Sequence, residues 1–392
     1  MDLMLSPDER RFKEYCQRFS KEKLIPLSEK YGETDDVPGE LVNLMAEAGF
    51  FKLLVPENLG GRGVKALPIC LAREELAGVY CPADVTLAMQ GLGSYPIFLA
   101  GNDDQKARYL TKIVTGELLT TYALTEPEAG SDVNAIKADA RERADGFILN
   151  GTKKFISNGY AAHMAIVFAR TPRADHPQAL SALILEKGIP GFSVSKRMRM
   201  MAPHDIVELT FDNCFVPKEN LLGRMGEGFQ IAMKTLDVFR MSVGAAAVGI
   251  GQAAFDAALE YSKKRIQFGN PIATFQGIQF KLAEMATELD AARALVYRAA
   301  LLKDQGGSHV SRAASMAKFY ATEAAFRVVD QALQIHGGVG VLQGSVVERL
   351  YREIRALRIY EGTSEIQKLI IANSLLKDGL GSGGRKGKPT SS

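Results

Sequence analysis

The spacing of apolar residues changes twice along this chain, and that change limits the folds open to it. From Ser6 to about residue 116, apolar side chains recur at helical spacing. Between about 119 and 225 they form short runs separated by turn residues, which is typical of strands. The helical spacing then returns in five runs: 228 to 266, 275 to 305, 308 to 336, 345 to 357 and 364 to 377. This order predicts an α+β fold in which helices and strands are segregated.

The same pattern predicts three domains and a tail. We expect an N-terminal helical domain over 1–118, a middle β-sheet domain over 119–227 and a C-terminal four-helix-bundle domain over 228–378. Residues 379–392 are rich in glycine and predict a disordered tail. The dipeptide Asn150-Gly151, between alternating runs, predicts a hairpin turn. A Rossmann site is disfavoured, because the glycines of "GGVG" at 337–340 lack the preceding strand that it requires.

Charge and cysteine content exclude several other kinds of site. The formal net charge is +3, and the tail carries three basic residues without an acid, so the remainder is balanced. Such a body has no field that would attract nucleic acid or an anionic membrane, although a local basic pocket stays possible. The four cysteines are far apart and lack metal-site spacing, so we expect no metal. We also expect a cytoplasmic protein, because we find neither a signal-peptide pattern nor an apolar run long enough to span a membrane.

One short stretch near the end, "RIYEGTSEIQ" at 358–367, places a carboxylate in a connection between two helical runs. Ser364 and Gln367 have the spacing of a capping box, and Gly362 suits a break before the helix. Loops held by rigid helices often carry catalytic groups, but an acid in a connection is more often simply solvated. From these residues alone, both interpretations of Glu361 stay open.

Five sequence blocks taken together favour one interpretation of the chain and of Glu361. They are "YALTEPEAGSDVNA" (122–135), "KKFISNG" (153–159), "RIQFGNPIATFQGIQ" (265–279), "QIHGGVG" (334–340) and "YEGTSEIQ" (360–367). In order and approximate spacing they resemble the signature blocks of the acyl-CoA dehydrogenase flavoprotein family, over about residues 1–378. The resemblance implies the same three-part architecture, an FAD cofactor and an acyl-CoA substrate.

The resemblance also implies where FAD binds. Around the flavin ring it implies the backbone near Tyr122 and Leu124, the Thr125 hydroxyl, and Ser157. Phe155 stands where the family usually has tryptophan, and it can still flank the ring because it is apolar. Read without the family, the 122–135 stretch would be a polar turn. The complete set of implied cofactor residues is Tyr122, Leu124, Thr125, Gly130, Ser131, Phe155, Ser157, Arg265, Gln267, Phe268, Gln276, Gln334, Ile335, Gly337, Gly338, Thr363 and Glu365.

Part of that set implies assembly. By resemblance, the residues from Arg265 to Gln276 and from Gln334 to Gly338 hold the adenine and pyrophosphate end of FAD across a subunit interface. An isolated subunit would then have an incomplete site, so a homodimer is the minimum and a homotetramer the usual family form. For Arg265 alone, a solvated cation at a helix end is the simpler interpretation.

Glu361 acquires a role through the same resemblance. The family places a catalytic base at this position, where it removes the α-proton of an acyl thioester while the β-hydrogen leaves as hydride to the flavin. The alternative base position of some branches is occupied here by Phe239. The implied substrate-binding residues are Ser131, Asp237, Arg240, Tyr360 and Gly362, with Arg240 equally compatible with a structural ion pair.

Two stretches bear on substrate choice. Residues 197–211, "RMRMMAPHDIVELTF", depart from the family pattern, and His204 within them is either a specificity residue or, more simply, an exposed loop histidine. Residues 87–98, "LAMQGLGSYPIF", correspond to the floor of the acyl pocket, where Gly91 and Gly93 indicate either a roomy pocket or tight helix packing.

The resulting hypothesis is an acyl-CoA dehydrogenase that passes electrons to an electron-transferring flavoprotein. Related alternatives act on an acyl-carrier-protein thioester, reduce an enoyl-CoA in the reverse direction, or use oxygen as oxidant. The non-enzymatic alternative is a flavin-free helical scaffold with the same fold.

Overall fold

The computed structural model describes residues 5–172 and 179–380, and the predicted tail falls outside it from residue 381 onward. The first region is helical, as predicted. Ser6 caps the first helix and forms a capping box with Glu9, which fixes where that helix begins. The principal helices here are α1 (Pro7–Phe19), α2 (Ile25–Tyr31), α3 (Gly39–Glu47), α4 (Ala66–Ala77), α5 (Cys81–Ala100) and α6 (Asp103–Val114).

The second region is an eight-stranded sheet. Its strands are β1 (Thr120–Ala123), β2 (Asp139–Glu142), β3 (Gly146–Ser157), β4 (Met164–Arg170), β5 (Leu180–Glu186), β6 (Phe192–Arg197), β7 (Ile206–Pro217) and β8 (Leu221–Leu222). The strand order is β6-β7-β3-β2-β4-β5-β8, and β1 pairs with β4 in parallel. The ends of β1 and β3 are tied together, because the hydroxyl of Thr121 donates to the carbonyl oxygen of Ser157 at 2.7 Å.

The predicted hairpin at Asn150-Gly151 is wrong. These residues lie inside one continuous strand, β3, at a bulge where its pairing with β7 shifts register. Gly151 has φ +142°, and a Cβ there would lie 2.7 Å from the backbone of Ala138. Asn150 accepts a hydrogen bond from the backbone N–H of Asn213 at 2.8 Å. The dipeptide therefore permits a bulge, because strand pairing continues on both sides of it.

The third region contains long helices close to their predicted limits. They are α7 (Gly228–Lys264), α8 (Gln276–Asp304), α9 (Val310–His336), α10 (Val346–Leu357) and α11 (Ser364–Leu380), with a two-strand hairpin β9 (Ile266–Gln267) and β10 (Asn270–Pro271) between α7 and α8. The α+β order of helices, sheet and helices is thus confirmed. Among the described helices, α7 alone has the length and apolarity to cross a membrane, and 83% of its most apolar stretch is buried inside the fold, as in a core helix.

Candidate active site

Glu361 lies in the tight connection between α10 and α11. Its φ is +53° and that of Gly362 is +92°, so two successive residues adopt left-handed backbone conformations. The predicted capping box is wrong: the hydroxyl of Thr363, one position earlier, accepts the Ile366 N–H at 3.3 Å, and the isoleucine cannot return a hydrogen bond. Ser364 is buried and its hydroxyl donates to Glu323 at 2.5 Å. A left-handed conformation at a glutamate is strained, so the turn must be held by its surroundings.

Three side chains from different helices hold that turn through its carbonyl oxygens. The Nζ of Lys318, on α9, donates to the Gly362 oxygen at 2.6 Å. The side-chain amide of Gln367 donates to the oxygens of Glu361 and Gly362 at 3.2 and 2.8 Å. Arg240, on α7, donates its Nε to the Glu361 oxygen at 3.4 Å. The backbone of the turn is therefore fixed independently of the Glu361 carboxylate.

The Glu361 carboxylate has a buried oxygen, Oε2, without a hydrogen-bond partner among the described residues. Burial raises the pKa of Glu361 above its ordinary value, and the charges of Arg73, Lys318 and Arg240 act in the opposite direction. An unpartnered carboxylate oxygen with a raised pKa is suited to accept a proton from a bound ligand.

Two of the neighbouring cations are neutralised by acids. Arg73 forms a buried fork with Asp84, with distances of 2.7 and 2.9 Å, and also donates to Ser242 at 2.7 Å. Arg240 lies 3.3 Å from Asp237. Arg240 thus forms an ion pair, which does not decide whether it also contacts a substrate, and its bond to the Glu361 carbonyl places it at the same site.

Tyr122, on β1, lies close to Arg240 and Glu361. Burial raises the pKa of its hydroxyl, the charge of Arg240 lowers it, and Glu361 raises it further. The ring lies 4.8 Å from that of Phe168, between centroids, which fixes its orientation at the end of β1. The site therefore includes the start of the 122–135 block, while Ser131 and Gly130 lie farther along that block and are exposed.

The loop after β1 is anchored by a buried pair that the sequence analysis missed. Lys153, fully buried, donates to Glu126 at 2.8 Å and to the Leu124 carbonyl at 3.0 Å. Glu126 also accepts the backbone N–H groups of Lys137 and Ala138 at 2.6 and 2.9 Å. The pair fixes the backbone on either side of Thr125. The signal available was the strand alternation, since Lys153 occupies an inward position of "KKFIS".

Phe155 and Ser157 lie at the end of β3, beside that loop. Phe155 has φ +59° and is 57% exposed, so its ring is not used in the core of the single chain. The hydroxyl of Ser157 lies 3.3 Å from Nε2 of His204. The expectation of an exposed loop histidine is wrong: His204 is buried, and burial lowers its pKa. A small cavity of about 30 Å³, large enough for a water molecule, separates His204 from Tyr360 and Asp84.

A second group of predicted residues lies at one end of the helical region. Four exposed residues lie just before, on and just after the β9–β10 hairpin: Arg265, Gln267, Phe268 and Gln276. Gln334, Gly337 and Gly338 are exposed at the end of α9. Tyr261 stacks on His336 with ring centroids 4.4 Å apart, which ties these two segments together. Ile335 is buried. The side chains that hold the Glu361 turn come from Lys318, Gln367 and Arg240, and thus from outside this group.

The two glycines of α5 are explained by tight packing. A Cβ on Gly91 would lie 2.3 Å from the ring of Phe239, and one on Gly93 would lie 2.2 Å from the Thr120 hydroxyl. Phe239 is fully buried and its ring also meets that of Tyr95 edge-on at 6.2 Å. The space that the glycines leave is therefore filled, and the roomy-pocket interpretation is not supported at these positions.

Three family models match the chain in succession. They are the acyl-CoA dehydrogenase N-terminal domain over residues 6–117, the middle domain over 121–214 and the C-terminal domain over 226–376. The chain belongs to the acyl-CoA dehydrogenase family. The sequence resemblance and its three-part fold are thus confirmed.

Individual relatives agree over nearly the whole length. The chain is 42% identical to an acyl-CoA dehydrogenase of Bacillus subtilis (strain 168), covering 91% of this chain and 95% of that one. It is also 42% identical to a 3-(aryl)acrylate reductase of Clostridium sporogenes (strain ATCC 15579), covering 92% and 96%. The solved butyryl-CoA dehydrogenase from Megasphaera elsdenii superposes with a TM-score of 0.90 at 38% identity, covering 95% and 99%.

Two further solved structures bear on cofactor and partner. One was solved in a study of the electron transferring flavoprotein of Acidaminococcus fermentans, with TM-score 0.91, 41% identity and coverage of 95% and 99%. The other is a glutaryl-CoA dehydrogenase from Mycobacterium smegmatis in complex with FADH2, with TM-score 0.89, 26% identity and 96% coverage of each chain.

Proposed function

We propose that this acyl-CoA dehydrogenase removes the α- and β-hydrogens of an acyl-CoA thioester with FAD as cofactor. The observation that carries the proposal is the Glu361 carboxylate, whose pKa is raised and whose Oε2 is buried and unpartnered among the described residues, on a turn that other side chains hold in place. Such a group has a free acceptor atom and no structural hydrogen bond to lose when it takes a proton.

The residues of the two groups fit an FAD of this family. At Gly130, Gly337 and Gly338, no heavy atom from elsewhere in the described chain lies within 4 Å of the position that a Cβ would occupy. Such positions allow phosphate groups to approach backbone N–H donors. The exposed ring of Phe155 offers an apolar flank for the flavin. When bound, FAD would supply the acceptor for the hydride that leaves the substrate's β-carbon; the solved M. smegmatis relative is a complex with the reduced cofactor, FADH2.

We assign the cofactor contacts to two groups. The flavin end is held by the loop and strand that carry Tyr122, Leu124, Thr125, Gly130, Ser131, Phe155 and Ser157, with Thr363 and Glu365 beside the Glu361 turn. The adenine and pyrophosphate end is held by a second copy of the chain, through Arg265, Gln267, Phe268, Gln276, Gln334, Ile335, Gly337 and Gly338. The exposure of most of this second group in the single chain supports that division.

In the proposed reaction Glu361 works as general base. Its Oε2 takes the α-proton, the Cα–H electron pair forms the Cα=Cβ double bond, and the β-hydrogen departs as hydride. The cations near Glu361 favour its carboxylate form before the reaction, while burial favours the neutral acid that results. We assign substrate contacts to Ser131, Asp237, Arg240, Tyr360 and Gly362.

A second candidate runs the same chemistry in reverse. One relative at 42% identity is named a 3-(aryl)acrylate reductase, and another, at 41%, an acryloyl-CoA reductase (NADH) of Anaerotignum propionicum. In that direction the protonated Glu361 would deliver a proton to Cα as hydride arrives at Cβ. The raised pKa of Glu361 is compatible with either direction.

We propose an electron-transferring flavoprotein as redox partner and a homotetramer, with a homodimer as the minimum assembly. The partner is supported by the similar A. fermentans structure, which comes from work on such a flavoprotein. Assembly is supported by the exposed apolar side chains at the end of the helical region, Phe268 among them. The cytoplasmic location stays a prediction from the sequence.

The test is an anaerobic titration of the purified yellow protein. Straight, branched, cyclic and aromatic acyl-CoA thioesters are added in turn while the flavin absorption is recorded. Bleaching by one class supports the dehydrogenase and identifies its substrate class. If no saturated thioester bleaches the flavin, the matching enoyl-CoA is added to dithionite-reduced protein, and return of the yellow colour supports the reductive direction. A colourless protein would contradict both candidates.

A further inference from the structure

Lys318 is a buried lysine that the motifs did not point to. It lies within α9, its exposed fraction is 0%, and its Nζ donates to the carbonyl oxygen of Gly362 at 2.6 Å. In residues 5–172 and 179–380, no carboxylate lies within ion-pair distance of this ammonium group. Its one hydrogen-bond acceptor in that part of the chain is a neutral peptide group.

The other buried cations near the site are arranged differently. Arg73 is paired with Asp84, Arg240 with Asp237, and Lys153, at the β3 end, with Glu126. A buried charge without a counter-charge is strongly unfavourable. The ammonium group of Lys318, unpaired in the described chain, therefore suggests that a neighbouring group depends on its charge. A nearby group that also lacks a partner among the described residues is the Oε2 of Glu361.

We propose that Lys318 is a positioning residue of the Glu361 turn and that its nearby positive charge keeps Glu361 deprotonated until the α-proton is transferred. The inference rests on the proposed function, because it assumes that Glu361 is the base. It assigns Lys318 two actions. The hydrogen bond to Gly362 fixes the left-handed turn, and the positive charge favours the carboxylate form of its neighbour.

The charges that face Lys318 come from several elements. They are Glu361 and Glu365 at the α11 start, Arg240 on α7, and Glu323 on α9 itself. Burial lowers the pKa of Lys318 to about 8, Glu361 raises it, and Arg240 lowers it again. The lysine is therefore charged near neutral pH, where the base must be ionised. Above about pH 8 it loses that charge, and its effect on Glu361 weakens.

Gln367 separates the two actions experimentally. Its amide binds the same Gly362 carbonyl, at 2.8 Å, and the Glu361 carbonyl as well, but it carries no charge. Lys318→Met removes both a hydrogen bond and a charge, whereas Gln367→Met removes hydrogen bonds alone. Ser315→Ala, one turn earlier on α9, deletes a buried hydroxyl with no partner in the described chain and controls for disturbance of the helix.

The measurement is an infrared pH titration of the Glu361 carboxyl group in the FAD-loaded enzyme. The Glu361 signal is assigned by its absence from Glu361→Gln. We expect Lys318→Met to raise the pKa of Glu361 by about one unit or more, because an opposite charge nearby has been removed. Gln367→Met and Ser315→Ala should leave that pKa unchanged, although Gln367→Met should lower the melting temperature. The rate of flavin bleaching in Lys318→Met should be about tenfold lower on the acidic limb of the pH profile and should recover as the pH rises.

An unchanged Glu361 pKa in Lys318→Met would overturn the inference, as would equal shifts in Lys318→Met and Gln367→Met, which would indicate a purely structural role. Lys318→Gln, which keeps a hydrogen-bond donor, replaces Lys318→Met if the latter does not fold, and the same shift is expected. Failure of the proposed function is recognised separately. If Glu361→Gln keeps its turnover, Glu361 is not the base, whatever Lys318 does.

Discussion

The two ends of the candidate site differ in how complete they are within one chain. At the Glu361 end, side chains from α7, α9 and α11 bind the turn, and Arg73 and Arg240 are paired with acids. At the opposite end, Phe268 is 93% exposed, and Val341 and Leu342 are further uncovered apolar side chains. The contacts that hold the Glu361 turn are therefore all present within one chain, while the opposite end leaves apolar side chains uncovered.

Physical chemistry explains the difference. Most buried charges, such as Arg73 and Arg240, are paired when the chain folds, because a buried charge without a counter-charge is costly. Exposed apolar side chains do not prevent the single chain from folding, and their burial against a partner surface favours association. Catalysis should accordingly depend on contacts inside each subunit, and cofactor retention on contacts between subunits.

The largest expected effect is at the complete end. Glu361→Gln should keep the yellow, FAD-bound protein but lose turnover by about 10²- to 10⁴-fold, because the general base is removed. Stopped-flow measurement of flavin bleaching by the best thioester, with the flavin-to-protein ratio as control, tests this. Bleaching at the wild-type rate would show that the base lies elsewhere.

The next effect is at the exposed end. Phe268→Ser should weaken assembly and FAD retention together, by about tenfold or more, because a central aromatic side chain is lost from the proposed interface. Sedimentation velocity and flavin absorbance over a dilution series would report both. Phe215→Ser is the matched control, since Phe215 is also exposed but lies on the sheet. Equal effects of both variants would contradict the assignment of the interface.

The pH dependence of the bleaching rate should reflect the Glu361 end of the site alone. Burial raises the pKa of Glu361 above the ordinary glutamate value of about 4.3. Below that raised pKa the base is protonated and therefore inactive in the oxidative direction. The bleaching rate should fall about tenfold per unit below that pKa. The Phe268→Ser variant, measured at saturating FAD, should show the same acidic limb. A limb at the ordinary glutamate value would mean that the carboxylate is not desolvated.

The smallest expected effect is structural. Gly91→Ala should lower the free energy of unfolding by about 1 to 3 kcal/mol, since the new methyl group meets the buried ring of Phe239. Because this change lies inside the subunit, the loss should not depend on protein concentration, in contrast to Phe268→Ser. Gly39→Ala, at an open position of α3, is the control and should be close to neutral. Thermal unfolding at two concentrations distinguishes the cases, and an undiminished stability in Gly91→Ala would show that α5 moves to make room.

Much of this organisation could be predicted from the sequence. Apolar spacing gives the order of helices, strands and helices, because it reflects which faces must be buried. The five blocks located Glu361 in a connection between two helices, while the two groups of cofactor residues stay a proposal. The prediction of a hairpin turn at Asn150-Gly151 failed because this dipeptide is compatible with a bulge as well as with a hairpin. The pairing of β3 with β7 decides between the two.

The parts that could not be predicted depend on contacts between distant segments. His204 is buried because β3 and the segment before β7 come together at Ser157. Lys318 reads as an ordinary polar residue of a helix, and only the packing of α9 against the α10–α11 turn shows that it is buried and bound to Gly362. The pairing of Glu126 with Lys153 likewise joins residues 27 positions apart.

The central claim is that each active site combines a base from one subunit with a cofactor-binding surface from another. It is tested most directly by mixing two inactive variants, Glu361→Gln and the double variant Arg265→Ala with Phe268→Ser, through joint unfolding and refolding with FAD. Each mixed dimer would contain one intact site, so about a quarter of the wild-type bleaching amplitude should return. If the mixture stays as inactive as the two variants refolded separately, although mixed assemblies are detected by native mass spectrometry, the two groups belong to one subunit's site and the claim is wrong.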